Sequence, residues 1–233
     1  MISSKVIEYM TPYFQIISNS KGKSIGQIKK ELSIERQKMK KGASGLIVET
    51  LLGIKNNNKD DADIPEIGCE IKILPLQKNI NGDIKAKEPT AIQMINYCEV
   101  AKEEWENAKI RKKISLTFWI VYLAKENGNS LDQNDYVILD FFLDKPDVSC
   151  SSIFKTDWEL IKSYIIKGHA DKLSCSMGEY IEPKTKGSSN KDVTNAPDGH
   201  GGFIKVRRRA FYYKKKYTNS QIIPNIDLTV LKK

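Results

Sequence analysis

The feature that most constrains this chain is a pair of apolar, β-branched and aromatic runs, Ile114–Leu123 and Tyr136–Leu143, each of strand length. The longest apolar stretch, Ile114–Ala124, already contains Ser115 and Thr117. It falls well short of the roughly 20 residues that a spanning helix needs, so these runs predict strands of a soluble sheet. Around them lie helical patterns. Residues 4–18 place Val6, Ile7, Met10, Phe14 and Ile17 at three- and four-residue steps, with a break or kink expected at Pro12. Ser24 and Gln27 form a capping box for a short helix through Leu32. Lys40–Gly45 is a basic, punctuated entry to a helix carrying Leu46, Ile47, Val48, Leu51 and Leu52, which stops near Gly53.

A polar loop, Lys55–Asp61, leads to a strand over Ile67–Pro75, and Asn81-Gly82 marks a hairpin-like turn. Thr156 and Glu159 read as a second capping box, starting a helix that carries Trp158, Ile161, Tyr164 and Ile165 and ends before Gly168. Residues 183–202, rich in Gly, Ser, Asn and Lys, read as an exposed loop, and Phe203–Tyr217 as a strand or hairpin. Helices alternating with strands predict an α/β fold with one mixed sheet, and 233 residues suit a single domain.

The net charge is +9, and +8 of it lies in residues 184–216, which hold ten Lys and Arg against Asp192 and Asp198. A basic block interleaved with Tyr, Phe and Gly suits a polyanion, because Lys and Arg release counterions from phosphates while aromatics pack on sugars or bases. A membrane surface fits less well, since Gly199, Gly201 and Gly202 interrupt any amphipathic helical period. The first residues lack a signal-peptide pattern, and Cys69, Cys98, Cys150 and Cys175 form no CxxC pair. With only His169 and His200 besides, a disulfide framework or zinc site is not expected, and the cytoplasm is the expected compartment.

The chemistry is concentrated in Asp63…Glu70-Ile71-Lys72. On a strand, Cys69, Ile71 and Ile73 point to one face while Glu70, Lys72 and Leu74 point to the other. Glu70 and Lys72 then lie about 7 Å apart along the strand, and Asp63 can bend back from the preceding loop. Two carboxylates and an ammonium suit phosphodiester hydrolysis. The carboxylates can hold a hard cation such as Mg²⁺, and the lysine can orient a water and offset transition-state charge. The plain alternative is a solvent-side ion pair, worth at most about 1 kcal/mol. The acid-x-Lys pattern recurs at Asp83-Ile84-Lys85 and Glu182-Pro183-Lys184, both read as polar loops. Glu49, an acid on an apolar helix, and Lys113, ahead of the Ile114 strand, are further candidates.

These residues, in this order, resemble the MutH family of GATC-specific endonucleases, which joins the mismatch-repair nickase to restriction enzymes of the Sau-three-A type within the PD-(D/E)XK superfamily. The matching blocks are Lys41-Gly-Ala-Ser-Gly-Leu-Ile-Val-Glu49, Asp63…Glu70-Ile71-Lys72…Pro75, Trp105-Glu106 through Lys113 to Trp119, Gly178-Glu179-Tyr180, and Arg209-Ala-Phe-Tyr-Tyr-Lys-Lys-Lys-Tyr-Thr218. The resemblance implies a restriction-endonuclease-like mixed sheet flanked by helices, with a DNA cleft between two subdomain arms. The catalytic arm would cover about 20–125 and the DNA-reading region about 168–220. Asp63 and Glu70, with Ile71 between acid and lysine, would hold Mg²⁺. Lys72 would be the catalytic lysine, Glu49 an additional acid, and Lys113 a lysine near the scissile phosphate.

Lys184 falls where the family places a base-reading arginine, and lacks its bidentate fork. Lys186 and Tyr212 match DNA-contacting positions, and Arg207, Arg209 and Lys214 of the basic block complete the expected DNA surface. The implied activity is cleavage of double-stranded DNA at or near GATC by a restriction enzyme, with a transient dimer on DNA among the expected partners. The alternatives are a repair nickase activated by a MutL-like partner and a non-catalytic DNA-binding effector. No membrane role is expected.

Overall fold

The computed structural model describes residues 2–34, 42–54, 61–187, 189 and 191–232. In chain order the elements are α1 (Ser4–Ser18), α2 (Ile25–Glu31), α3 (Ala43–Leu51), β1 (Glu70–Lys78), β2 (Ile84–Ala86), β3 (Thr90–Met94), α4 (Tyr97–Val100), α5 (Lys109–Ile114), β4 (Thr117–Glu126), β5 (Asn129–Ser130), β6 (Val137–Asp144), α6 (Val148–Ile166), β7 (Ile181–Thr185), β8 (Val193–Pro197), β9 (Phe203–Arg207), β10 (Arg209–Tyr213) and α7 (Lys215–Tyr217). They divide into two compact units. The first comprises 1–88, 116–145 and 219–233, the second 89–115 and 146–218. The expected catalytic arm over 20–125 is thus interrupted, because the path from β1 to β4 passes through residues of the second unit.

The first unit holds the mixed sheet, ordered β2-β1-β4-β5 with β6 also paired to β4. β1 and β4 run parallel, Glu70 opposite Thr117 and Lys72 opposite Trp119. β4 and β6 are antiparallel, as are β1 and β2 around the Asn81-Gly82 turn, where Gly82 sits at φ +85°. Alternation sends Cys69, Ile71, Phe118, Ile120, Tyr122, Ile138 and Leu143 into a core shared with Met10, Ile17, Ile25, Ile28, Ile47 and Val48 of the first three helices. Phe14 stacks on Phe141 with ring centroids 5.1 Å apart. α1 starts on a Ser3 cap and continues through Pro12, where a break or kink was expected. The α2 capping box forms as read from Ser24 and Gln27.

The second unit contains a three-stranded sheet, β3-β10-β7, and the two-stranded β8–β9 ribbon. Among the described residues the single mixed sheet expected from the sequence is therefore one of three. Two further expectations change here. The 183–202 segment is not one loop: Pro183–Thr185 lie in β7, and Val193–Pro197 pair with Phe203–Arg207. The long helix begins at Val148, not at Thr156, because the Asp147 carboxylate accepts from the Cys150 N–H at 2.7 Å and caps it. Thr156 lies inside that helix and its hydroxyl donates back to the Ser152 carbonyl. Lys113 lies in the last turn of α5 rather than leading directly into a strand, since β4 starts at Thr117. Among the described residues no helix is long and apolar enough to cross a membrane.

Candidate active site and nucleic-acid interface

The strand β1 begins three residues later than the sequence suggests, and the reason creates the site. Ile64 and Cys69 exchange backbone hydrogen bonds of 2.9 and 3.1 Å, closing a tight turn through Pro65, Ile67 and Gly68. Gly68 takes φ +63°, a conformation that disfavours a side chain. The turn returns Asp63 beside the start of β1, where its Oδ2 accepts from the Ile71 N–H at 2.8 Å.

Glu70 donates its own N–H to the Leu116 carbonyl, on the β4 side. Strand residues alternate the edge to which N–H and C=O point, so the Ile71 carbonyl faces the Asp63 edge. Lys72 Nζ lies 3.0 Å from Glu70 Oε2. Their side chains are only 15% and 3% exposed, so this is not the solvent-side ion pair of the plain alternative. Glu49, on the last turn of α3, is half-buried. Burial and then the Asp63 charge push its carboxyl above the ordinary range, while Lys72 pulls the other way. Four of the expected residues, Glu49, Asp63, Glu70 and Lys72, are thus brought together within the first unit.

The donor set fits a hard divalent cation. It offers two carboxylates, with a main-chain carbonyl at the same edge, all oxygen, as Mg²⁺ prefers. Glu49 adds a third carboxyl near Asp63, its proton held mainly by burial and secondarily by the Asp63 charge. Lys113 belongs to the second unit and is half-buried on α5. Lys41, the first residue of the Lys41–Glu49 block, and most of the 55–61 loop lie outside the described residues.

The second unit assembles the basic residues. β7 and β10 pair with Glu182 opposite Tyr212 and Lys184 opposite Ala210. The ammonium groups of Lys184 and Lys186 lie 5.5 and 5.6 Å from the Tyr212 ring centroid, and Lys186 also donates to the Tyr212 hydroxyl at 3.3 Å. Glu182-Pro-Lys184, expected in a polar loop, lies on a strand with Glu182 buried. Burial raises the Glu182 carboxyl, against the pull of Lys184 and Lys214. Asp83-Ile-Lys85 remains an exposed pair of 3.6 Å, with Lys85 on β2.

Two of the expected DNA contacts are engaged by main-chain carbonyls of the second unit. Lys214 Nζ donates to the carbonyls of Met177 and Gly178 at 3.1 and 2.9 Å, and Arg209 Nη2 donates to the Asp171 carbonyl at 3.2 Å. Arg207, half-buried on β9, accepts at its carbonyl from the Tyr97 hydroxyl at 2.8 Å.

Sequence reasoning missed Asp157. Its carboxylate accepts from the N–H groups of Glu179, Tyr180 and Ile181 at 2.7, 2.6 and 2.8 Å, fixing the entry to β7 on α6. Gly178 makes this possible: at φ +72°, a Cβ there would meet the Ile181 carbonyl at 2.1 Å. The available signal was an acid lying on the same helical stripe as Phe154, Trp158, Ile161 and Ile165.

The family model described as DNA mismatch repair enzyme MutH matches residues 52–157. The chain is 30% identical over 210 residues to the type II restriction enzyme Sau3AI of Staphylococcus aureus, covering 88% of this chain and 42% of that enzyme. It is 28% identical over 181 residues to the DNA mismatch repair protein MutH of Pasteurella multocida, covering 78% of each. With MutH of Haemophilus influenzae the identity is 27% over 200 residues, 84% of this chain and 86% of the relative. Together these matches support the MutH/Sau3AI-type family for this chain. The MutH-family match includes Asp63, Glu70, Lys72, Lys113 and Asp157, so it spans residues of both units. The chain spans less than half the length of the restriction enzyme and most of the length of the mismatch-repair proteins.

Proposed function

We propose that this chain is a DNA endonuclease that hydrolyses phosphodiester bonds of duplex DNA at or near GATC with Mg²⁺, acting in restriction. The observation that carries the reading is Asp63 bonded to the Ile71 N–H beside the Glu70–Lys72 pair. Asp63, Glu70 and the Ile71 carbonyl would hold the cation. Bound there, it would polarise the phosphate and acidify a water. Lys72 has three N–H donors. One is directed to Glu70, which leaves donors for phosphate oxygens as their charge grows in the transition state. Glu49 supplies an acid that holds a proton more readily than an exposed glutamate. Lys184, Lys186 and Tyr212 would read the bases, and Lys113 would meet the backbone near the scissile bond.

The repair-nickase reading, with a MutL-like activator, is favoured by one observation: the alignment runs over 78% and 86% of the two MutH proteins but 42% of the restriction enzyme. Supercoiled plasmids with and without unmethylated GATC sites separate the readings. Linear fragments from the first plasmid only support restriction, and open circles strengthened by MutL support the nickase. Under Mg²⁺, Asp63→Ala and Lys72→Ala should each lose cleavage by about 10²-fold or more. Unchanged cleavage in either variant sinks the assignment.

A further inference from the structure

Besides the pair of strands bearing Lys184, Lys186 and Tyr212, the second unit carries the β8–β9 ribbon, of which the expected DNA surface takes only Arg207. The two are joined end to end. Lys186 donates its N–H to the Arg208 carbonyl, and Arg208 donates its own to the Asp192 carbonyl. β7 is followed by β8 along one side of the join, and β9 by β10 along the other.

Helix α6 packs on both sheets. On β10 the residues turned inward are Phe211 and Tyr213, the latter ring against Phe154 of α6, leaving Tyr212 outward. On β9 the buried residue is Val206, and on β8 it is Ala196, which pairs with Ile204 two residues before Val206 and so shares its face. The inward parity therefore switches between β9 and β10, and Arg208 is the residue between the two ladders. A one-residue slip flips every side chain to the other face. Here it brings Phe203, Lys205 and Arg207 to the same outer side as Lys184, Lys186 and Tyr212.

The ribbon is firmly mounted. At its tip, Asp198 accepts from the His200 and Gly202 N–H groups at 2.8 and 2.9 Å. A Cβ on Gly168 would meet the Asp198 carbonyl at 2.1 Å, so the turn lies directly against the chain leaving α6. The outer face is cationic and carries an exposed aromatic: Phe203 is 66% exposed, Lys205 is exposed, and no acid occurs in Phe203–Tyr213.

We infer that this outer ribbon face grips the backbone of duplex DNA outside the bases that are read. The inference rests on the endonuclease reading and extends it. Four base pairs occupy about 14 Å of duplex. Position 205 stands up to about 23 Å along the strand from position 212, so Lys205 reaches past a tetranucleotide centred near Tyr212. The charge complementarity is with phosphate, and Phe203 supplies an apolar surface for sugar.

The test compares binding of the full chain, without added divalent cation, to two duplexes. One has a central GATC with short flanks of four base pairs, the other flanks of fourteen. Wild type should bind the longer duplex tenfold or more tightly. Lys205→Gln/Arg207→Gln should bring that ratio close to one and reduce the slope of log K against log[salt] by about 1.8, two contacts' worth. Phe203→Ala, a surface change, should lower the ratio with the slope kept. A wild-type flank ratio and slope in the double variant overturn the ribbon contact. If wild type still cleaves at GATC in Mg²⁺, the endonuclease reading survives that result; if it neither binds nor cleaves either duplex, both fail.

Discussion

Asp157 is where the fold of the second unit and its proposed DNA surface depend most directly on one side chain. The carboxylate is 4% exposed at the residue level and accepts three backbone N–H groups at the turn into β7. Asp157→Ala leaves those three donors without an acceptor in a place water reaches poorly. Each buried unsatisfied donor costs about 1–3 kcal/mol. Partial relaxation of the turn brings the expected loss to about 4 kcal/mol, a large share of the 5–15 kcal/mol typical of a folded chain. For a chain of this size about 2–4 °C accompanies each kcal/mol, so the melting temperature should fall by roughly 8–16 °C. Asp157→Asn keeps one oxygen acceptor and turns an NH₂ toward at least one N–H. It should cost about half as much.

Thermal unfolding followed by circular dichroism gives the magnitude, and amide hydrogen exchange at Glu179, Tyr180 and Ile181 gives the location. Those three amides should lose protection in both variants while the β1–β4 amides keep theirs. A melting temperature within 2 °C of wild type for Asp157→Ala, or unchanged exchange at the three amides, would refute the reasoning.

Three shorter predictions follow from other groups. Because burial and Asp63 raise the Glu49 carboxyl, the folded state favours its protonated form. Metal-free wild type should therefore lose stability, relative to Glu49→Gln, as pH rises through the interval above the ordinary value of 4.5; parallel melting curves of the two proteins from pH 4 to 7 would count against this. Burial pushes the Cys69 thiol up to about 12, whereas Cys175 is exposed. Iodoacetamide at pH 8 should modify Cys175 within minutes and leave Cys69 intact until the protein is unfolded, as read by peptide mass spectrometry. Lys184→Arg introduces a planar fork beside Tyr212, and a bidentate contact is worth about 1–3 kcal/mol of base discrimination. Cleavage of GATC relative to sites altered at the guanine should sharpen by tenfold or more, and an unchanged ratio argues that position 184 does not read a base.

Much of the first unit was legible in the sequence because its signals are local. The Ser24–Gln27 capping box, the Asn81-Gly82 turn and the strand-length runs that became β4 and β6 depend on neighbours a few residues away. So does the alternation that sets Glu70 and Lys72 on one face, and the order of acids and lysine was enough to mark the site and its resemblance. The sequence could not say that Glu70 is buried, because that depends on what covers the strand. Nor could it place Glu49 within reach of Asp63, since α3 and the Ile64–Cys69 turn meet only through the packed core.

In the second unit local signals misled. Thr156 and Glu159 match a capping box, but burial of Cys150 and Phe154 draws the helix back to Asp147. The polar stretch 183–202 reads as a loop, yet pairing with Phe203–Tyr213 makes strands of Pro183–Thr185 and Val193–Pro197. Composition by itself determined that the C-terminal part of the chain is a basic, aromatic surface suited to a polyanion. Tertiary structure decided which of those charges are committed inside the fold, as Lys214 is to Met177 and Gly178, and which stand on an outer face, as Lys205 does. A charge is a property of the residue, whereas its availability is set by the carbonyls and carboxylates that distant parts of the chain bring to it.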